Sequence, residues 1–344
     1  MTALLALLLL VPAARASEEA KIVFRADPRL ELVGAVELMN GGHARRFVDP
    51  GGDYARAVRA RLKPFKDDPA FKLQAAFPKA FDFPSRCDII GRTRLDLRTT
   101  TFYYLPDPTV NAAGGREKIE DWLTALRGLE TKAKMDEFFA QNRAALEARA
   151  EPYRDSARRH RVVRRIEDYV GRPFTGTYTV FVSPFMDRER MLDSVWPRAD
   201  GSRELYTVIG ADAGRWHRKY YLDERFPSAL WHQLAHGLLD SRVEAAFPDD
   251  LAHRTDGRRE PCFGDWQQCV KENLVRAVTA RLLELDDSPQ AARRFLHNGD
   301  QGLYPLMPEL LKSLQVYEKN RDKYPTLDSY LPILFQVFPE KKAP

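Results

Sequence analysis

Cysteine is scarce in this chain, at 3 residues in 344. That excludes a disulfide-built scaffold, and without a short-spaced pair it gives no support to a cysteine-caged zinc site. Long apolar runs are missing too. The stretch Leu4 to Val11 is the longest near the N-terminus, and a bilayer span needs roughly 20 such residues. Net charge is only +5, too mild to specify a nucleic-acid partner by itself. Neither internal repeats nor a low-complexity tract occurs, so solenoid and collagen-like architectures are excluded. What remains is a chain that is 44% hydrophobic, enough to bury a sizeable core.

One further absence is chemical. In His232-Gln233-Leu234-Ala235-His236 two histidines stand four apart, so on a helix both imidazoles share a face and reach one metal ion. The zinc-peptidase version of this pattern carries glutamate second, as general base for metal-bound water. Here that position is Gln233, an amide that takes up no proton near neutral pH. Between Ala229 and Leu239 only His232, Gln233 and His236 are polar, which predicts a buried helix. Pro227 suits its first turn, and Pro248 lies beyond its end.

A third ligand is required. A histidine ten residues after the first would be the metzincin choice, but Arg242 stands there and excludes that class. Glu272, in the helical stretch from Asp265 to Val278, falls over Val275, Thr279 and Leu282. A carboxylate on that largely apolar side needs a cation or a metal to stay ionised. A pairing of Glu272 with Arg276 or Lys271 on an exposed face is the competing expectation. Asp240 and Glu244 are candidate substitutes for the missing base, although neither occupies the base's place on the helix.

With these residues in hand the chain resembles the gluzincin zinc metallopeptidases, His232 and His236 matching the motif histidines and Glu272 the downstream glutamate. It resembles more closely an uncharacterised bacterial secreted family catalogued as a domain of unknown function. That likeness rests on Phe138-Phe139 with Tyr153, Tyr169-Val170-Gly171, Tyr178 to Pro184, Leu205 to Ile209 and the helix from Leu230 to His236. It implies an α+β, helix-dominated domain with a small sheet before the metal helix. It also implies one zinc on His232, His236 and Glu272, and an edge strand that binds an extended peptide or protein by backbone pairing. Gln233 at the general-base position leaves either a weakened secreted peptidase or a zinc-binding pseudoenzyme that holds a peptide or envelope partner.

The rest of the chain supplies context. Residues 1–16 read as a cleavable leader, with Ala14-Arg15-Ala16 as its small-x-small cleavage site, and predict a secreted or periplasmic protein. Residues 17–113 form an N-terminal α+β region and residues 114–344 the metallopeptidase-like domain, divided at Gly114-Gly115. Cys262 and Cys269 have the spacing of a small disulfide loop, and Cys87 has no nearby partner. The cluster Arg154, Arg158, Arg159, Arg161, Arg164 and Arg165 is interleaved with Asp155, Glu167 and Asp168, the pattern of a solvated helix face. Helices are expected at 54–65, 69–81, 118–129 and 132–169, the last broken near Pro152. Strands are expected at 88–104, 177–182 and 204–209, and Tyr206, Tyr220 and Tyr221 are expected to pack near the cleft.

Overall fold

The computed structural model describes residues 21–41, 52–78, 81–92, 107–186, 191–197, 203–210, 221–252, 266–286, 289–300 and 304–338. Its centre is built from β-branched and aromatic runs that are apolar on both faces, the composition of strands covered on two sides. These are β1 (Ile22–Arg25), β2 (Tyr178–Ser183), β3 (Met191–Pro197) and β4 (Arg203–Gly210), joined in the order β1-β2-β4-β3. β1, β2 and β4 run parallel, and β3 is antiparallel to β4. Alternation divides their side chains between two apolar clusters. Ile22, Phe24, Tyr178, Val180, Val182, Leu205 and Ile209 enter one. Phe181, Tyr206 and Val208 enter the other.

Helices cover both faces. Over the second cluster lie α1 (Pro28–Met39), α2 (Asp53–Leu62), α3 (Pro69–Ala75), α4 (Phe83–Arg92), α5 (Asp107–Ala113), α6 (Arg116–Lys132) and α7 (Met135–Ala148). Over the first lie α8 (Glu151–Arg159), α9 (Val162–Val170) and α10 (Phe226–Ala246), then the short α11 (Asp249–Ala252) and α12 (Trp266–Leu285). The first face is completed by α13 (Pro289–Asp300), α14 (Met307–Lys319) and α15 (Leu331–Phe335). The fold is therefore α+β and helix-dominated. No helix among the described residues is long and apolar enough to cross a membrane.

Several expectations change in three dimensions. Residues 88–92 are the end of helix α4, not the start of a strand. Cys87, Ile89 and Ile90 are fully buried there, so packing against α1 overrides the β preference of the isoleucines; residues 93–104 lie outside the described residues. The long helix expected over 132–169 is three helices. Lys134 and Arg161 hold positive φ of 48° and 46°, a left-handed turn that stops a helix, and the break expected near Pro152 is present, with Pro152 in the first turn of α8. The helix from Pro69 stops at Ala75. Strands β2 and β4 are both interior, so neither forms the edge expected of one of them; among the described residues the strand beyond β4 is β3. Residues 1–16, Tyr220 and Cys262 lie outside the described residues.

Candidate metal centre

Helix α10 runs against the sheet because one residue lets it. A Cβ on Gly237 would stand 2.6 Å from Leu205 Cδ1, closer than carbon atoms approach, so the helix backbone packs directly on the Leu205 side chain of β4. Phe226, Leu230, Trp231, Leu234, Ala235 and Leu239 are all buried around the same helix. Trp231 donates its indole N–H to the Val162 carbonyl at 3.0 Å, which fixes the helix rotation against α9. His232 and His236 then project on the side facing α12.

Glu272, on α12, meets them. Its Oε1 lies 3.7 Å from His232 Nε2 and its Oε2 lies 3.3 Å from His236 Nε2. The two imidazoles sit edge to face with ring centroids 4.8 Å apart. One donor atom from each of the three residues falls within 4.8 Å of the others. Bonds of about 2.0–2.1 Å to a tetrahedral zinc would separate neighbouring ligand atoms by about 3.3 Å. The His236–Glu272 separation matches that value, while the trio as a whole, with donor atoms up to 4.8 Å apart, is wider than a zinc-bound set.

Electrostatics around the trio are polarised. Burial drives the His232 pKa down to about 3, so this imidazole is neutral and has a lone pair to offer at neutral pH. Burial acts to lower His236 as well, but hydrogen bonds and charge from Asp240 and Glu272 raise it to about 9. For Glu272 burial acts upward, and the hydrogen bond with His236 together with the charge of Arg276 holds it down at about 2. His232 Nδ1 is buried without a hydrogen-bond partner, a cost of about 1–3 kcal/mol when nothing else compensates.

Asp240 is placed by the same helical spacing. Its carboxylate oxygens lie 3.1 and 3.2 Å from His236 Nδ1, on the opposite side of the ring from Glu272. It is held on the far nitrogen of His236, the arrangement in which a carboxylate orients an imidazole, and not over the face that Glu272 occupies. Glu244 instead pairs with Lys271 at 2.6 Å, a second tie between α10 and α12. Gln233 is buried on the turn between the two histidines. Glu272 does bond Arg276, at 2.7 Å, as well as His236, and its side chain is only 22% exposed. The expected pairing of Glu272 with Arg276 is therefore present, whereas the contact of Asp240 with His236 was not expected, although four residues separate them, the spacing that signals contact on a helix.

Surrounding features sort themselves. A groove of ≈ 480 Å³ runs past His236, between the loop 172–176 and the Asp240 to Arg242 end of α10. Tyr206 lies on the opposite face of the sheet, its hydroxyl donating to Asp88 at 2.6 Å. Five of the six clustered arginines are paired: Arg154 with Glu151, Arg158 with Asp155, Arg159 with Asp223, Arg164 with Asp168 and Arg165 with Asp286. Cys269, one turn before Glu272, is disulfide-bonded, and Cys87 is a buried free thiol.

Comparison with known proteins adds one finding. No curated protein matches the chain. No solved structure matches it either. A family model described as a domain of unknown function, DUF4932, matches residues 110–337, a span that includes α6 to α15, three of the four strands and all three residues of the His-His-Glu trio. The chain belongs to that family.

Proposed function

We propose that this protein is a secreted or periplasmic zinc metallopeptidase-like protein of the gluzincin type, with hydrolysis weakened or lost at Gln233. The observation that carries the reading is the convergence of His232, His236 and Glu272 from two helices, with Asp240 behind His236. Two imidazoles and one carboxylate are a donor set that favours zinc. The leader-like residues 1–16 support export.

Bound zinc would supply a Lewis acid that polarises a carbonyl and acidifies water. The chain's own residues do the rest. Asp240 holds the Nδ1 proton of His236, which turns Nε2 toward Glu272. Gln233 can hydrogen-bond a substrate or a water but carries no proton between them. Loss of a positioned general base costs on the order of 10²–10⁴-fold in rate. Among the described residues β3 is the edge strand beside β4 and antiparallel to it, and an extended peptide would pair there.

The second reading, a zinc-binding pseudoenzyme that holds a peptide or envelope partner, is favoured by Gln233 itself. Metal content of the purified protein, beside a Glu272→Ala variant, tests the centre. About one zinc per chain, lost in the variant, is expected; no zinc after chelator-free purification and titration would make the histidines core residues. Gln233→Glu then separates the readings. Peptidase activity gained on a native background of weak cleavage supports the weakened enzyme, activity gained on a silent background supports the pseudoenzyme, and no gain in either assigns the cleft to binding alone.

A further inference from the structure

The trio is not alone. Arg276, one turn beyond Glu272 on α12, donates from Nε to Glu272 Oε1 at 2.7 Å. That oxygen is also the one nearest His232 Nε2. Its guanidinium lies 4.4 Å from the ring centroid of Tyr304 and 5.9 Å from that of Phe295. Only 18% of the side chain is exposed. Stacking on these rings holds a planar cation in place, so the charge cannot swing away when a second cation arrives.

We propose that Arg276 is an internal competitor for the metal, a positioning residue that lowers the affinity of the centre and confines Glu272 to one-oxygen ligation. This rests on the reading of His232, His236 and Glu272 as metal ligands. Two effects act in the same direction. The guanidinium occupies Oε1 with a charge-assisted hydrogen bond and leaves Oε2, on the His236 side, to a metal. A fixed positive charge in contact with a ligand also repels a divalent ion, weakly screened because the group is buried. Arg276 contributes orientation to Glu272, but α12 is itself locked, with Val275, Val278 and Leu282 buried around it, so its charge outweighs its steering. Asp240 acts oppositely from behind His236. The two residues thus tune the centre in opposite directions, Asp240 through His236 and Arg276 through Glu272.

The test is zinc titration against a competing chelator, on the full protein and on Arg276→Met and Arg276→Lys. The methionine keeps length and apolar contact with Tyr304 while removing charge and donor; the lysine keeps the charge. Arg276→Met is expected to bind zinc about tenfold or more tightly than the native protein, within the range by which such outer partners tune affinity, with Arg276→Lys close to native. A melt in chelator verifies folding. Should Arg276→Met not fold, Tyr304→Leu frees the guanidinium and is expected to tighten zinc binding in the same sense. Native protein that binds zinc with the folded variant equal or weaker overturns this inference and leaves the metal centre standing. Zinc taken up by Arg276→Met and not by native protein supports the competition and corrects the claim of a loaded native site. No uptake by either overturns both.

Discussion

At the scale of single residues, charges are settled by partners the linear sequence does not display. Asp240 is the clearest case. A carboxylate on the far nitrogen of His236 fixes the tautomer and strengthens the ligand, so Asp240→Asn is expected to weaken zinc binding about 10–100-fold while leaving the fold intact. Equal affinities by chelator competition would remove its proposed role. A second buried acid lies far from the centre. Glu31 is 1% exposed, accepts from the Tyr54 hydroxyl at 3.0 Å and has Oε1 without a partner. Burial raises its pKa from 4.5 to about 7, against the lowering effect of the Ser183 and Tyr54 hydrogen bonds. Because the folded value lies above the unfolded one, its contribution is fully present below pH 4.5 and is lost as pH rises through about 7. Glu31→Gln should therefore be more stable than native at pH 8 by on the order of 2 kcal/mol, and show no such gain at pH 4. Urea unfolding at the two pH values checks this, and parallel pH profiles would refute it.

At the scale of elements, the meeting of α10 with β4 places the centre. Gly237 is the contact point, and Leu205 is 1% exposed, so its methyl has little room to withdraw from a new Cβ. Gly237→Ala is expected to cost about 1–3 kcal/mol through overpacking. Adding Leu205→Ala should recover part of that loss, since it opens the space the Cβ needs. Additive losses in the double variant would show that the close approach is not what the glycine serves. The helix itself was legible from the sequence: an apolar run, Pro227 at its start and Pro248 past its end leave few alternatives. The end of α4 was not. Cys87 to Ile90 has the composition of a strand, and only the neighbouring α1 makes it a helix.

For the molecule as a whole, the sheet is the shared wall of two cores. Phe181 and Tyr206 face one cluster while Val180 and Leu205 face the other, so neither cluster keeps its floor if the other opens. Trp122 is buried on one side and Trp231 on the other. Fluorescence of Trp122→Phe and of Trp231→Phe, each in its own denaturant titration, is expected to follow the circular dichroism transition of the same variant. A fluorescence midpoint displaced from the dichroism in either variant would mean that the two cores unfold separately.

How the chain divides between what is local and what is distant follows from this. By itself the sequence determined the helix-rich α+β class, the strands β2 and β4, and the three residues of the candidate centre, because periodicity and ligand spacing are carried by neighbours along the chain. Glu272 was placed by its own helix's apolar side before any partner was visible. Tertiary structure alone decided that, among the described residues, β3 and not β2 or β4 forms the edge beside β4, that Asp240 contacts His236, and that Glu272 faces the histidines while pairing with Arg276. It also paired Arg159 and Arg165 of the arginine cluster with acids from other segments, Asp223 and Asp286. Strand order and ion pairing are contacts between distant residues, and burial sets their strength, so neither is written into a local pattern.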